Sequence, residues 1–186
     1  MAIKSDCYVS FRVAIFQDEA RNNIKQVLNE SLVDFGKSEC SVRVNSVDSG
    51  LCKIDLETVF SGKIIPKTLH LPKVESALQL DWLAAKLSKL VPSNEKINLI
   101  IFVESAKSLL YMKELCQHGQ LLEAQGAPFI LDGAVFGSDD FCADIGQVAI
   151  YKKNENMNTF SNLYFLIQVP QEQLKLRSWF MLASIS

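Results

Sequence analysis

The chain has 186 residues, 48% of them hydrophobic and 22% charged, with 19 Lys and Arg against 21 Asp and Glu. That length suits one domain, and the apolar share is ample for a packed core, which excludes disorder for the bulk of the chain. A net charge of −2 argues against the basic groove of a nucleic-acid binder or a basic membrane-binding face.

The longest apolar stretch, Ile97 to Val103, is strand-sized and far short of the roughly 18 residues a membrane span needs. Five cysteines (Cys7, Cys40, Cys52, Cys116, Cys142) lie far apart with no C-x-x-C pair. Neither a disulfide framework nor a zinc knuckle is signalled, and a reducing compartment is expected. Residues Met1 to Phe16 show no signal-peptide pattern and no clear transit peptide.

In chain order, Ala20, Ile24, Val27, Leu28 and Leu32 fall at helical spacing from Asp18 onward, with Gly36 as a stop. Ser41 to Asn45 (SVRVN) reads as a strand, Val47 to Gly50 as a turn, and Lys53 to Phe60 as a short helix. Thr68 to Leu71 is a second strand ending at Pro72. Ser76 and Gln79 form an S-x-x-Q capping box that opens a helix through Trp82, Leu83, Leu87 and Leu90.

Ile97 to Val103 (INLIIFV) is nearly continuous apolar, as expected of a parallel strand buried on both faces. Ala106 to Cys116 predicts a helix and Phe129 to Phe136 a strand. The alternation of helix and strand predicts right-handed βαβ units on a parallel sheet, an α/β fold. Beyond Gly146 the alternation stops. Phe160 to Val169 is expected as a strand, and Gln171 to Ile185, after Pro170, as a final helix.

In parallel α/β folds, function gathers at the C-terminal ends of the strands. Those ends carry Arg43 and Asn45, then Lys73 and Glu75, then Glu104, then Asp139 and Asp140. Carboxylates on separate strands, with no His or Cys close in sequence, suit a hard cation such as Mg²⁺. An Arg at a third strand end could clamp a carboxylate or stabilise an enolate oxygen. The bland reading is that such residues are solvated or serve as helix caps, as Ser105 or Asp139 could. His70 reads as an ordinary strand side chain, and Cys116-Gln117-His118 as a helix terminus rather than a catalytic pair.

Arg43 to Leu51 (RVNSVDSGL), Leu71 to Ser76 (LPKVES), Phe102 to Ser105 (FVES) and Phe136 to Gly146 (FGSDDFCADIG) resemble the HpcH/HpaI aldolase and citrate lyase β-subunit family, and Asp18 to Ile24 (DEARNNI) joins the match. The resemblance implies a (β/α)8 TIM barrel that binds Mg²⁺ and makes or breaks carbon–carbon bonds in acyl-CoA and short oxo-acid substrates. It also implies a mitochondrial location and a homo-oligomer, a trimer. The family's metal ligands match Glu104 and Asp140, and its substrate-binding arginine matches Arg43. Asp139 is not carried over as a ligand, and Lys73 and Glu75 take supporting roles.

A full barrel runs to roughly 250 residues, so the resemblance implies a partial (β/α)8 barrel of about four central parallel strands, with an unrelated C-terminal tail. The expected organisation is an atypical N-terminus over 1–17, the partial lyase domain over 18–146, and the tail over 147–186. The family's CoA-contacting opening strands and its C-terminal catalytic aspartate find no match, so an inactive chain is expected. A second class of reading is a non-catalytic half-barrel fragment or an unstable alternative-transcript product.

Overall fold

The computed structural model describes residues 8–12, 17–30, 39–146 and 178–182. Six strands form one sheet: β1 (Tyr8–Arg12), β2 (Glu39–Arg43), β3 (Thr68–Leu71), β4 (Ile97–Val103), β5 (Phe129–Gly137) and β6 (Ser178–Leu182). Every neighbouring pair is parallel and the spatial order is the chain order. A doubly wound sheet reverses its order at a switch point, whereas a barrel lays each strand beside its predecessor. The uninterrupted order is therefore that of a (β/α) barrel wall. The four strands expected from the sequence are its centre, adjacent and parallel as anticipated.

The helices are α1 (Gln17–Glu30), α2 (Cys52–Val59), α3 (Ala77–Leu87), α4 (Ala106–Leu110), α5 (Met112–Ala124) and α6 (Ser138–Asp144). The capping box holds: Gln79 Oε1 accepts the Ser76 N–H at 3.1 Å and the Glu75 N–H at 2.7 Å. Leu80, Leu83 and Leu87 on α3, and Met112, Leu115 and Cys116 on α5, are buried in one cluster with Leu69, Leu71, Leu99 and Ile101 of the sheet. Fully burying each such leucine contributes about 1.5–3 kcal/mol.

Three expectations are corrected, all of them helical. The helix read as Ala106 to Cys116 is two helices that meet at Tyr111 (φ −97°, ψ 9°), and the second continues to Ala124. Cys116 to His118 consequently lies inside α5, where His118 Nε2 sits 2.7 Å from Asp81 Oδ1 on α3. Within the helix read over Gln171 to Ile185, the described residues Ser178–Leu182 are instead β6, whose backbone pairs with Gly133–Gly137. Aromatic and aliphatic spacing there was compatible with either period, and the pairing edge of β5 decided it. At the other end Tyr8–Arg12, read as part of an atypical N-terminus, pairs with β2. The strand expected at Phe160 to Val169 lies outside the described residues.

One irregularity matters for the site. Leu99 pairs with Leu131 but Ile100 pairs with Gly133, so β5 carries one extra residue, Asp132. A bulge of one residue reverses which face each later side chain occupies. Ala134 and Phe136 thereby join the helix-side core with Leu131, while Val135 clusters with Ile100 and Phe102 on the other face.

Candidate functional site

Alternation along β4 puts Ile97, Leu99, Ile101 and Val103 on the helix side and Ile100 and Phe102 on the inner face. Glu104, the next residue in that inner series, follows the last strand residue and is 5% exposed. Its backbone is fixed by α4: Ser108 Oγ accepts the N–H groups of both Glu104 (3.1 Å) and Ser105 (3.0 Å). Ser105 is the N-cap of α4, its Oγ accepting the Ser108 N–H, so the capping role anticipated for it holds.

The carboxylate of Glu104 is gripped from two other strands. Arg43 Nη2, from the end of β2, donates to Oε1 at 3.3 Å, and the Lys73 N–H, just after β3, donates to Oε2 at 3.1 Å. The guanidinium of Arg43 also stacks over the Phe102 ring, 4.4 Å from its centroid. Gly137, at the end of β5, faces the same carboxylate: a Cβ there would lie 2.6 Å from Glu104 Cγ and 2.9 Å from Oε1. The bulge at Asp132 is what brings Gly137, and not Phe136, to this position.

Asp140 lies in the first turn of α6, where an acidic side chain is favoured by the helix dipole. It is about half exposed, with Oδ1 3.7 Å from Lys73 Nζ. Burial pushes the Glu104 carboxyl above its ordinary range; Arg43 opposes that shift, Asp140 adds to it by like-charge repulsion, and Lys73 opposes it. Arg43, Glu104 and Asp140 are thus gathered at one mouth, and Lys73 touches both acids. Asp139 lies in the same first turn as Asp140, inside α6 and not at its N-cap, which is Gly137.

Neighbouring mouth loops are tied to each other. Gln79 Nε2 donates to Asp48 Oδ2 at 2.7 Å, Ser105 Oγ to Glu75 Oε1 at 2.7 Å, and the Ala106 N–H to Asp144 Oδ2 at 2.8 Å. Glu75 Oε2 also faces Lys107 Nζ at 3.6 Å. Glu75 thus links the loop after β3 to the start of α4.

Asp55 on α2 escaped the sequence reading, where it looks like one more helix-surface acid. It is fully buried and accepts from Arg21 Nε (2.8 Å), the Asn45 N–H (2.9 Å) and Asn45 Nδ2 (2.7 Å). This buried carboxylate pins Asn45, two residues beyond Arg43, to α1 and α2. Gly137 was missed as well, although it sits in the quoted FGSDDF segment.

His70, on β3, pairs in register with Arg43 and Ile100, and its ring lies 5.8 Å from that of Phe102. Its Nε2 is buried with no hydrogen-bond partner among the described residues. Burial, reinforced by the charge of Arg43, pushes its pKa down to about 4.

A hard cation is compatible with this donor set. Among the described residues no three Asp, Glu, His or Cys side chains converge, but Mg²⁺ sites are commonly built from one or two carboxylates with several waters. Glu104 and Asp140 supply two oxygen donors, and their mutual repulsion is the kind a cation relieves.

The description of the HpcH/HpaI aldolase/citrate lyase family matches residues 13–166. Citramalyl-CoA lyase, mitochondrial, of Homo sapiens is 43% identical over 136 residues, 72% of this chain and 39% of that protein. The Rattus norvegicus protein of the same name is 40% identical over the same shares. The chain thus spans about two fifths of the length of the curated relatives it matches. Among solved structures, RipC from Yersinia pestis has a TM-score of 0.58 at 16% identity, covering 95% of this chain and 83% of that one. Haloferax volcanii malate synthase has a TM-score of 0.59 at 11% identity, covering 95% and 62%. These likenesses bear on fold and agree with the sequential parallel sheet. With its motifs gathered at one mouth and the family match running over most of its length, the chain belongs to the HpcH/HpaI aldolase/citrate lyase family.

Proposed function

We propose that these residues form the metal-binding and charge-clamping part of a carbon–carbon lyase acting on acyl-CoA esters of the citramalyl-CoA type. The reaction yields pyruvate and acetyl-CoA, and the malate synthase-type condensation is its reverse-direction counterpart. One observation carries the reading. The Glu104 carboxylate is buried at a strand end, held by Arg43 and the Lys73 N–H, within the field of Asp140.

Glu104 and Asp140 would hold Mg²⁺, with water completing its shell. A bound divalent cation supplies Lewis-acid polarisation of substrate oxygens. Arg43 holds a fixed positive charge beside that position, backed by Phe102, where negative charge develops on an oxygen as the carbon–carbon bond breaks. Gly137 leaves room for the carboxylate, and the ties between mouth loops keep the donors oriented before substrate arrives.

By resemblance the family's proton-transfer aspartate belongs to its C-terminal part, and residues 147–186 contain no Asp. Loss of a general acid or base typically costs 10² to 10⁴ in rate. Cleavage of citramalyl-CoA therefore calls for a proton-transfer group that residues 147–186 do not supply as an aspartate. The named relatives are mitochondrial, and we place this protein there with them.

The test is calorimetric titration of Mg²⁺ into the wild-type chain and into Glu104→Gln. The variant keeps the side-chain volume and loses the charge, so at least about a tenfold loss of affinity is expected, more than 1.4 kcal/mol. Equal affinity in the two proteins would remove Glu104 as a ligand and the proposal with it.

A further inference from the structure

We propose that Lys73 is the resident counter-ion of the two-carboxylate site. Its backbone orients Glu104, its ammonium occupies Asp140, and an arriving divalent cation must displace that ammonium. The inference rests on the metal-binding reading above and adds a residue that competes with the metal rather than holding it.

Lys73 has φ +53°, a positive value shared among the described residues only with glycines. Left-handed backbone crowds a Cβ, so a lysine keeps it only where its surroundings enforce it. Here the turn aims the N–H at Glu104 Oε2, 3.1 Å away, and the side chain at Asp140 Oδ1, 3.7 Å away. One residue after β3 therefore reaches both acids, which come from the ends of β4 and β5. Arg43 holds the remaining oxygen of Glu104.

The two contacts respond differently to a cation. A carboxylate oxygen has two lone pairs, so Oε2 can keep the Lys73 N–H while its other lone pair meets a metal. The ammonium cannot stay in the same way, because it is a like charge on the oxygen a metal needs. Its pair with Asp140 is about half exposed on both sides, 55% and 47%, and exposed pairs of this kind are weak. A flexible four-carbon stem lets it leave. Lys73 thus lowers cation affinity by a modest factor set by charge and screened by salt.

The experiment is Mg²⁺ titration by calorimetry at low and at physiological ionic strength, with folding checked by thermal unfolding. Lys73→Met removes the charge and keeps the stem; it is expected to bind Mg²⁺ about 3- to 10-fold more tightly at low salt, the gain shrinking at higher salt. Lys73→Arg keeps the charge and should stay within about twofold of wild type. If Lys73→Met does not fold, Lys73→Gln serves as the neutral variant with the same expectation.

Unchanged or weaker binding by the neutral variant, with Glu104→Gln still losing affinity, overturns the counter-ion role and leaves the metal site standing. Equal binding by Glu104→Gln and wild type, or no binding by wild type, overturns both. A residue of merely structural importance would weaken binding when replaced, so the sign of the change is decisive.

Discussion

The same strands present two different surfaces. Toward the helices, Leu69, Leu99, Ile101 and Phe136 meet the leucines of α3 and the apolar side of α5 in one continuous core. On the inner face, a small apolar group of Ile100, Phe102 and Val135 lies beside His70, Arg43 and, at the rim, Glu104. The helix side is closed by dispersion and burial, which are non-directional and tolerate any well-filled arrangement. The inner side is held by directed contacts to one carboxylate, each of which fails if its donor moves. One face is packed chiefly by apolar burial, and the other gathers the directed polar contacts.

The comparison can be broken most strongly on the helix side. Leu99 is fully buried in the middle of the sheet, so Leu99→Ala should cost about 2–5 kcal/mol, read from denaturant unfolding. Mg²⁺ affinity of the folded fraction should be unchanged. A loss of affinity without a loss of stability would reverse the roles assigned to the two faces.

Gly137→Ala probes the rim. The added Cβ would lie 2.6 Å from Glu104 Cγ, and Glu104 cannot retreat without giving up Arg43 and the Lys73 N–H. A cost of about 1–3 kcal/mol is expected from overpacking, together with a loss of Mg²⁺ affinity of about tenfold or more. Wild-type affinity in this variant would show that Glu104 has room the structure does not reveal.

His70 sharpens the contrast through pH. Its pKa is lowered from 6.5 to about 4 by burial first and Arg43 second. Between those values the unfolded chain binds more protons than the native one, so stability rises with pH across that window and falls as the pH drops through it. With the ring partly exposed, up to about 2 kcal/mol is expected to be lost between pH 6.5 and 4. His70→Met should flatten that part of the stability profile; an unaltered slope would assign the acid sensitivity elsewhere.

The smallest effect concerns Glu104, whose pKa is shifted the opposite way. Burial raises it, with Arg43 opposing and Asp140 adding, so the native chain holds its proton to higher pH than the unfolded one. Its contribution to stability therefore falls as pH rises from the ordinary value of 4.5 through the raised one. Glu104→Gln should remove that decline while reducing Mg²⁺ binding at neutral pH. A steeper decline in the variant would mean the carboxylate is stabilised, not strained, by its site.

Much of this was legible in the residues. INLIIFV between two helical patterns specifies a buried central strand whatever the rest of the chain does, because seven near-continuous apolar residues bounded by turns have few other places to go. Ser76 and Gln79 specify a helix start through hydrogen bonds that are local in sequence. Strand-end charges drew attention to Arg43, Glu104 and Asp140 because a polar residue at the end of such a strand, or in the first turn after it, falls at the mouth.

Other features needed the third dimension. Asp55 reads as a surface acid until Arg21 and Asn45, 34 residues before it and 10 before it, converge on it. β6 is a strand because the edge of β5 offers it unpaired backbone groups. The bulge at Asp132 cannot be read from FILDGAVFG, yet it decides whether Phe136 or Gly137 faces Glu104. Local sequence thus determined the central elements from α1 to β5, their order and the acids and arginine near the strand ends, since those follow from periodicity and short-range hydrogen bonding. Tertiary structure alone decided the register, the partners of each buried charge and the left-handed turn at Lys73, because each depends on groups brought together from distant parts of the chain.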